Sequence, residues 1–413
     1  MTPNDTSRRV AHHHNPQAAA ENPYLDRHRA IISRRRFDDA RREMVRWPGY
    51  EPTPLVTLAG LAAELGIRTL WYKDESGRFG LSSFKALGGA YAVFRQVVEI
   101  ASNRLRRPVH AADLVAGDAR DTIGDITVTC ATDGNHGRSV AWGARTFGCK
   151  CVVFVHEGVS GARVAAIERY GATVRRVSGT YDDSVQFAAE EARARDWIVI
   201  ADTSYPGYSD IPKDVMQGYT LMADEVLRQL PAATLPTHAF VQSGVGGLAA
   251  AVCGHFWETL GPRRPRLIVV EPDRSACLLA SARAGRPTKV RGRLETVMAG
   301  LACGAPSRIA WDILADGADD FITIPDRVVA PVMRLLAEGV GGDPPIVAGE
   351  SAVAGLAALI RVLAQPDLAA ALGLAPDSRV LVLGTEGATD PDLYERMVGR
   401  TADAVADSRM TSG

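Results

Sequence analysis

The stretch ITVTCATDGNHGRSVAWGARTFGCKCVVFVH, residues 126–156, carries the fold class. Its opening residues are mostly β-branched or small and read as a strand, Ile126–Ala131. A polar turn follows at Thr132-Asp133-Gly134. Residues 135–147 form a helical stretch, and Lys150–His156 is a second strand built on the apolar run CVVFV. Continuous apolar strands belong to sheets buried on both faces. The alternation continues outward. Further strands are expected at Thr69–Lys73, Thr173–Val177, Trp197–Ala201, His238–Gln242, Arg266–Glu271 and Arg379–Leu383. Further helices are expected around 84–100, 161–170, 181–195, 211–229, 246–259, 328–338 and 349–364. A Gly/Pro-rich passage, Gly339–Ala348, precedes the last of these. A βαβα order means mostly parallel sheets covered by helices, an α/β protein.

The chain has 413 residues, enough for two or three domains or one long two-lobed enzyme. Its 46% hydrophobic and 23% charged content is that of a soluble globular protein. The net charge of −1 provides no field for nucleic acid or membrane surfaces, and 6% aromatics argue against base-stacking platforms. No apolar run approaches the ~18 residues of a membrane helix. The opening MTPNDTSRRVAHHHNPQ lacks a signal-peptide core. Cysteines 130, 149, 151, 253, 277 and 303 form no C-x-x-C pair, so neither a metal site nor a redox pair is expected. The expectation is a cytoplasmic protein with reduced thiols.

Residues 1–50 read as a loose polar start followed by one charged helix. Asp38, Asp39 and Glu43 interleave with its arginines, which favours a solvated face over nucleic-acid binding. His12-His13-His14 suits weak metal binding or, more simply, a floppy terminus. Only five of the 47 basic residues are lysines: Lys73, Lys85, Lys150, Lys213 and Lys289. Codon bias accounts for most of that. An ammonium, unlike a guanidinium, can also lose its proton and act as a nucleophile.

Four segments carry candidate chemistry. In FGLSSFKALGG, Phe79–Gly89, Lys85 stands near a helix start among apolar neighbours. There an amine resists protonation and suits Schiff-base chemistry; a surface lysine covering apolar area is the bland alternative. In VTCATDGNHGRSV, Val128–Val140, the helix start offers free N–H groups for an anion, and Asn135 can meet a planar ring. Asp133 there is either a functional carboxylate or a helix cap. In HAFVQSGVGGL, His238–Leu248, glycines let the backbone approach a phosphate. The run matches neither the dinucleotide nor the triphosphate fingerprint, so one phosphate fits, or a plain tight turn. In VLVLGTEGATD, Val380–Asp390, a polar turn follows a buried strand. In this order the four describe a site for pyridoxal 5′-phosphate.

The chain resembles the fold-type II pyridoxal-phosphate enzymes, the tryptophan synthase β and threonine dehydratase group. Within that group it is similar to the diaminopropionate ammonia-lyases. The similarity runs from about Tyr50 to Arg396, on KDESGRFGLSSFKALGGAYA, ATDGNHGRSVAW, YDDSV, DTSYPGY, IPKDVMQGY, VQSGVGG, VEPD, MAGLACG, GES and TEG. The fold it implies has two lobes, each with a mostly parallel twisted sheet covered by helices. The implied division is 1–45 as an extension, 46–88 with 206–413 as the cofactor domain, and 89–205 as a small domain carrying the Asn135 loop.

The resemblance implies that Lys85 holds the cofactor's aldehyde, Asn135 its ring hydroxyl, and Gly244, Val245, Gly246 and Gly247 its phosphate. Glu350 and Thr385 would face the cofactor. Lys85, Asp133 and Asp202 would be catalytic, with Ser83, Thr132, Asp133, Gly134, His136 and Asp202 about the substrate. The implied reaction is β-elimination of ammonia from L-2,3-diaminopropionate, and from the D-enantiomer if bases flank both faces of Cα. Pyruvate and two ammonia result. The partners implied are a small amino acid and a second copy of the chain, with neither nucleic acid nor membrane.

Two departures stand out. The family's Ser-Thr-Glu-Gly-Asp-Thr is here Gly384-Thr385-Glu386-Gly387-Ala388-Thr389, leaving Thr385 or nothing to meet the pyridine nitrogen. Its Asn-Ala before Phe-Lys is Ser82-Ser83. Serine/threonine dehydration, β-replacement, and cofactor binding without turnover stay open beside the main reading.

Overall fold

The structure is a computed structural model that describes residues 10–132, 134–231, 234–292 and 294–411. Its strands are β1 (His12–His14), β2 (Leu55–Thr57), β3 (Thr69–Asp74), β4 (Thr127–Ala131), β5 (Lys150–His156), β6 (Thr173–Val177), β7 (Ile198–Val199), β8 (His238–Gln242), β9 (Arg266–Pro272), β10 (Asp320–Ile324) and β11 (Arg379–Gly384). Contacts group the chain into two compact units. One holds residues 10–30, Thr53–Ser76 and those from Ala223; the other holds Ile31–Pro52 and Gly77–Met222. These bounds differ from the segments expected from sequence.

The first unit contains the seven-stranded sheet β1-β10-β9-β8-β11-β3-β2. Its five central strands run parallel, and the short outer strands β1 and β2 are antiparallel. Val380, Leu381, Val382, Ile268, Val269 and Val270 are all buried, because helices cover both faces. One contiguous apolar cluster joins Tyr72, Phe240 and Val382 to Val329, Met333, Leu356 and Leu359. At roughly 25 cal/mol per Å² of apolar area removed from water, such burial is what holds the strand ends in place.

The second unit contains the four-stranded parallel sheet β6-β5-β4-β7. Helix Lys85–Leu105 packs closely on helix Asn135–Phe147. Small residues set that distance: a Cβ on Gly143 would lie 2.8 Å from the Ala90 Cα, and one on Gly89 would lie 1.9 Å from the Ser139 hydroxyl.

Three expectations need correction. His12–His14 is not floppy: it pairs antiparallel with β10, and His12 and His14 both meet the buried Asp320, at 2.8 and 3.3 Å. β10 itself, DFITI, is absent from the expected strands. Its five residues hide inside a helix-rich stretch, yet all are buried between β1 and β9. The helix expected over 349–364 begins only at Ala354, because Gly349–Ser351 is tied back by Glu386.

Candidate active site

The segment ahead of Lys85 is tightly bent. Phe79 and Ser82 both have left-handed backbone, at φ 50° and 52°, a region that favours glycine and asparagine over serine. The family's asparagine at position 82 would sit there with less strain. The Ser83 hydroxyl accepts from the Lys85 amide at 3.3 Å, and Lys85 opens the helix Lys85–Leu105.

Lys85 Nζ donates to Asp202 Oδ2 at 2.6 Å, with both side chains about four-fifths covered. The ammonium also lies 5.5 Å from the Phe84 ring centre and 5.9 Å from that of Tyr219. Tyr219 reaches it because two helices touch without side chains between them. A Cβ on Gly88 would lie 2.4 Å from the Tyr219 ring, and one on Gly218 would lie 2.0 Å from the Leu87 carbonyl oxygen.

Asp202 follows β7, where Ile200 N–H donates to Thr129 O at 2.7 Å. The Tyr208 hydroxyl pins the turn, donating to Val199 O at 2.7 Å and accepting from Ala201 N–H at 3.0 Å. Burial alone would raise the Asp202 carboxyl. The Lys85 ammonium, assisted by His136, outweighs burial and holds it well below the usual carboxylate range.

His136 Nε2 donates to Ile200 O at 2.8 Å, leaving Nδ1 4.0 Å from Asp202 Oδ2. Burial pushes its imidazole down, so it is neutral near pH 7. The Thr132 hydroxyl is committed to the helix start, accepting from Gly134 and Gly137 amides at 3.1 and 3.3 Å. Asn135 Oδ1 accepts from Arg138 at 2.8 Å. Thus Lys85, Ser83, Asp202 and His136 form one connected group, with Thr132, Gly134 and Asn135 at the adjoining helix start. Asp133 lies outside the described residues.

The first unit carries the glycine turn at the carboxyl end of β8, where α/β sheets bind ligands. Gly246 has φ 104° and caps the helix Gly247–Leu260. A Cβ on Gly244 would lie 2.9 Å from Cys303 Sγ. Among the described residues, the amides of Gly244, Val245, Gly246 and Gly247 bond to no other protein group. Beside them, the buried Ser243 hydroxyl and Gln242 Oε1 have no hydrogen-bond partner among the described residues. A cradle of unspent amides at a helix N-terminus fits the expected phosphate.

At the end of β11, Thr385 is buried, and its Oγ1 accepts from Gln242 Nε2 at 3.0 Å. Gly384 has no room for a serine: a Cβ there would fall 2.2 Å from the Tyr72 hydroxyl and ring carbons. Glu350 is buried in the turn that Glu386 holds through Gly349 N–H, at 3.0 Å, and Ser351 N–H, at 3.1 Å. Tyr219, Tyr208, Gln242 and Glu386 carry roles that sequence reading missed. Tyr219, Gln242 and Glu386 stand inside the motifs IPKDVMQGY, VQSGVGG and TEG, but nothing in their spacing reveals partners that lie over a hundred residues away for Tyr219 and Gln242 and 35 residues away for Glu386.

The sequence profile of the family described as pyridoxal-phosphate dependent enzyme matches residues 46–386. Diaminopropionate ammonia-lyase of Escherichia coli (strain K12) is 39% identical over 363 residues, 87% of this chain and 90% of that protein. Two crystal structures of the Escherichia coli enzyme share the fold. The complex with D-serine has a TM-score of 0.85 at 35% identity, covering 94% of this chain and 97% of the other. The complex with the aminoacrylate-PLP azomethine reaction intermediate has a TM-score of 0.84 at 35% identity, covering 95% and 97%.

Proposed function

Because the chain belongs to the family of pyridoxal-phosphate-dependent enzymes, we propose that it eliminates ammonia from 2,3-diaminopropionate. With one water consumed, the products are pyruvate and two ammonia. The observation that carries this reading is the Lys85–Asp202 pair at 2.6 Å. An amine that must lose and regain protons has a carboxylate at hand that can hold a neighbouring cation.

The bound cofactor supplies the carbonyl that captures the substrate's α-amine and the ring that spreads the negative charge left at Cα. The residues supply the rest. The amides of Gly244–Gly247 would hold the phosphate, and Asn135 would meet the ring, as the family resemblance implies. Lys85 would serve as the base for the Cα proton. Asp202 stabilises the ammonium form of Lys85 while that proton is held. The leaving β-amine must depart protonated, and Asp133 and Asp202 are the acidic groups proposed to bind it as a cation. Ser83 and neutral His136 line the substrate's place, with Thr132 and Gly134 shaping the turn beside it. 2-Aminoacrylate, once released, hydrolyses in water.

If Asp133 joins Asp202 near the substrate, as the family resemblance implies, the two carboxylates and Lys85 would offer bases for both enantiomers. Pyruvate release from D- and L-substrate in Asp133→Asn and Asp202→Asn measures that; equal loss on both enantiomers in both variants argues against separate bases. A homodimer is proposed on family resemblance, to be checked by mass in solution. A cytoplasmic location is proposed on the six free cysteines. Among the described residues, no helix is long and apolar enough to cross a membrane.

The test is the yield of pyruvate and ammonia from a panel of β-substituted amino acids. Two ammonia per pyruvate from diaminopropionate is expected. Lys85→Ala should remain folded yet lose the visible absorbance of bound cofactor and all turnover. Faster pyruvate release from serine than from diaminopropionate would move the assignment to a dehydratase.

A further inference from the structure

We propose that Gln242 is a positioning residue that makes the Thr385 hydroxyl a hydrogen-bond donor toward the ring nitrogen of the bound cofactor. This rests on the cofactor reading above and concerns only how this chain meets that ring. Gln242 ends β8 and is buried, and its Nε2 lies 3.1 Å from Ala352 O, 2.7 Å from Leu383 O and 3.0 Å from Thr385 Oγ1. Two of these neighbours are backbone carbonyls, which only accept. The atom facing them must therefore be the amide nitrogen, which settles the orientation of the side chain.

An amide nitrogen has no lone pair to offer a hydroxyl. At the Gln242–Thr385 contact the hydroxyl oxygen is thus the acceptor, and its hydrogen must point elsewhere. Among the described residues, Thr385 Oγ1 donates to no protein group, and Thr385 is only 4% exposed. A buried donor without an acceptor is costly. A ring nitrogen bearing a lone pair and no proton would satisfy it; a protonated ring nitrogen would leave the hydroxyl hydrogen stranded.

Position 384 cannot supply this hydroxyl. Tyr72 occupies the space beyond Gly384 and is itself part of the apolar cluster of the sheet. The neighbouring Thr385 takes the role, and Gln242 sets its direction.

The experiment uses the full-length holoenzyme and reads the visible absorbance maximum of bound cofactor, its pH titration and the cofactor's dissociation constant. Variants are Gln242→Leu, which removes the donor, and Gln242→Glu, which keeps the shape with one O–H for two N–H groups. Thr385→Val and the Gln242→Leu/Thr385→Val double variant complete a cycle. Thr385→Val and Gln242→Leu should each move the titration midpoint by about one pH unit and weaken cofactor binding about tenfold, a change of 1.4 kcal/mol. Gln242→Glu should fall between them and wild type. In the Thr385→Val background, Gln242→Leu should add little, because it acts through the hydroxyl. A merely structural role for Gln242 would lower thermal stability without moving the titration. An unmoved midpoint in folded Gln242→Glu or Gln242→Leu, or full additivity with Thr385→Val, overturns the inference while the cofactor reading stands. Absence of any visible band from the wild-type protein overturns both.

Discussion

Lys85 Nζ and Asp202 Oδ2 share a hydrogen bond of 2.6 Å, and the two charges hold each other in place. Asp202→Asn keeps the shape and removes the charge. Near pH 7 the cofactor-free protein should lose about 2 kcal/mol, since a mostly covered ammonium then lacks its counter-ion. The folded carboxyl lies below its unfolded value. Its contribution is therefore full above the ordinary aspartate range and lost as pH falls through the folded value. Urea titrations of wild type and Asp202→Asn should diverge near neutrality and converge in strong acid. Parallel curves across the range would remove the ion pair's role. Pyruvate formation should fall at least tenfold.

Gly384→Ser restores the family's hydroxyl and should still harm this protein. The new Cβ would lie 2.2 Å from the Tyr72 ring, a buried clash of about 2–3 kcal/mol. Tyr72→Leu combined with Gly384→Ser should recover part of the loss, because a smaller side chain vacates the space. Melting temperatures of the two single variants and the double measure this.

Ser82→Asn should do the reverse. Position 82 has left-handed backbone, at φ 52°, which asparagine tolerates better than serine. A gain of about 0.5 kcal/mol in denaturant stability is expected. A loss of that size would mean the Ser82 side chain does something beyond adopting the turn.

Gly218→Ala tests the helix contact that brings Tyr219 to Lys85. The added methyl would meet the Leu87 carbonyl at 2.0 Å, where only backbone can yield. A loss of about 2 kcal/mol or more is expected. Pyruvate formation should fall in material that remains folded by circular dichroism. An alanine variant with unchanged stability would mean the two helices separate freely.

The alternating architecture was readable because its signals are local. CVVFV and VLVL declare buried strands without help from the rest of the chain, and glycine-rich turns mark where those strands stop. Lys85, Asn135 and the Gly244–Gly247 run stood out as candidates for the same reason: each motif is contiguous. What escaped depends on partners far apart in sequence. His12–His14 becomes a strand only because β10 offers it an edge and Asp320 takes two of its imidazoles. Gln242 gains its role from Leu383 and Thr385, over 140 residues later. The motif alone showed only that a serine is missing at 384; beside Tyr72 its absence is a packing requirement.

The histidine triplet at the start of the first sheet bears on how this protein behaves at the bench. Two of its rings are already engaged by a buried carboxylate and its backbone is hydrogen-bonded, so nickel resin should retain the chain poorly. Proteolytic clipping beyond His14 would bare the outer row of amides and carbonyls of DFITI, a ready template for strands from neighbouring molecules. Clipped preparations should precipitate on standing while intact ones remain clear.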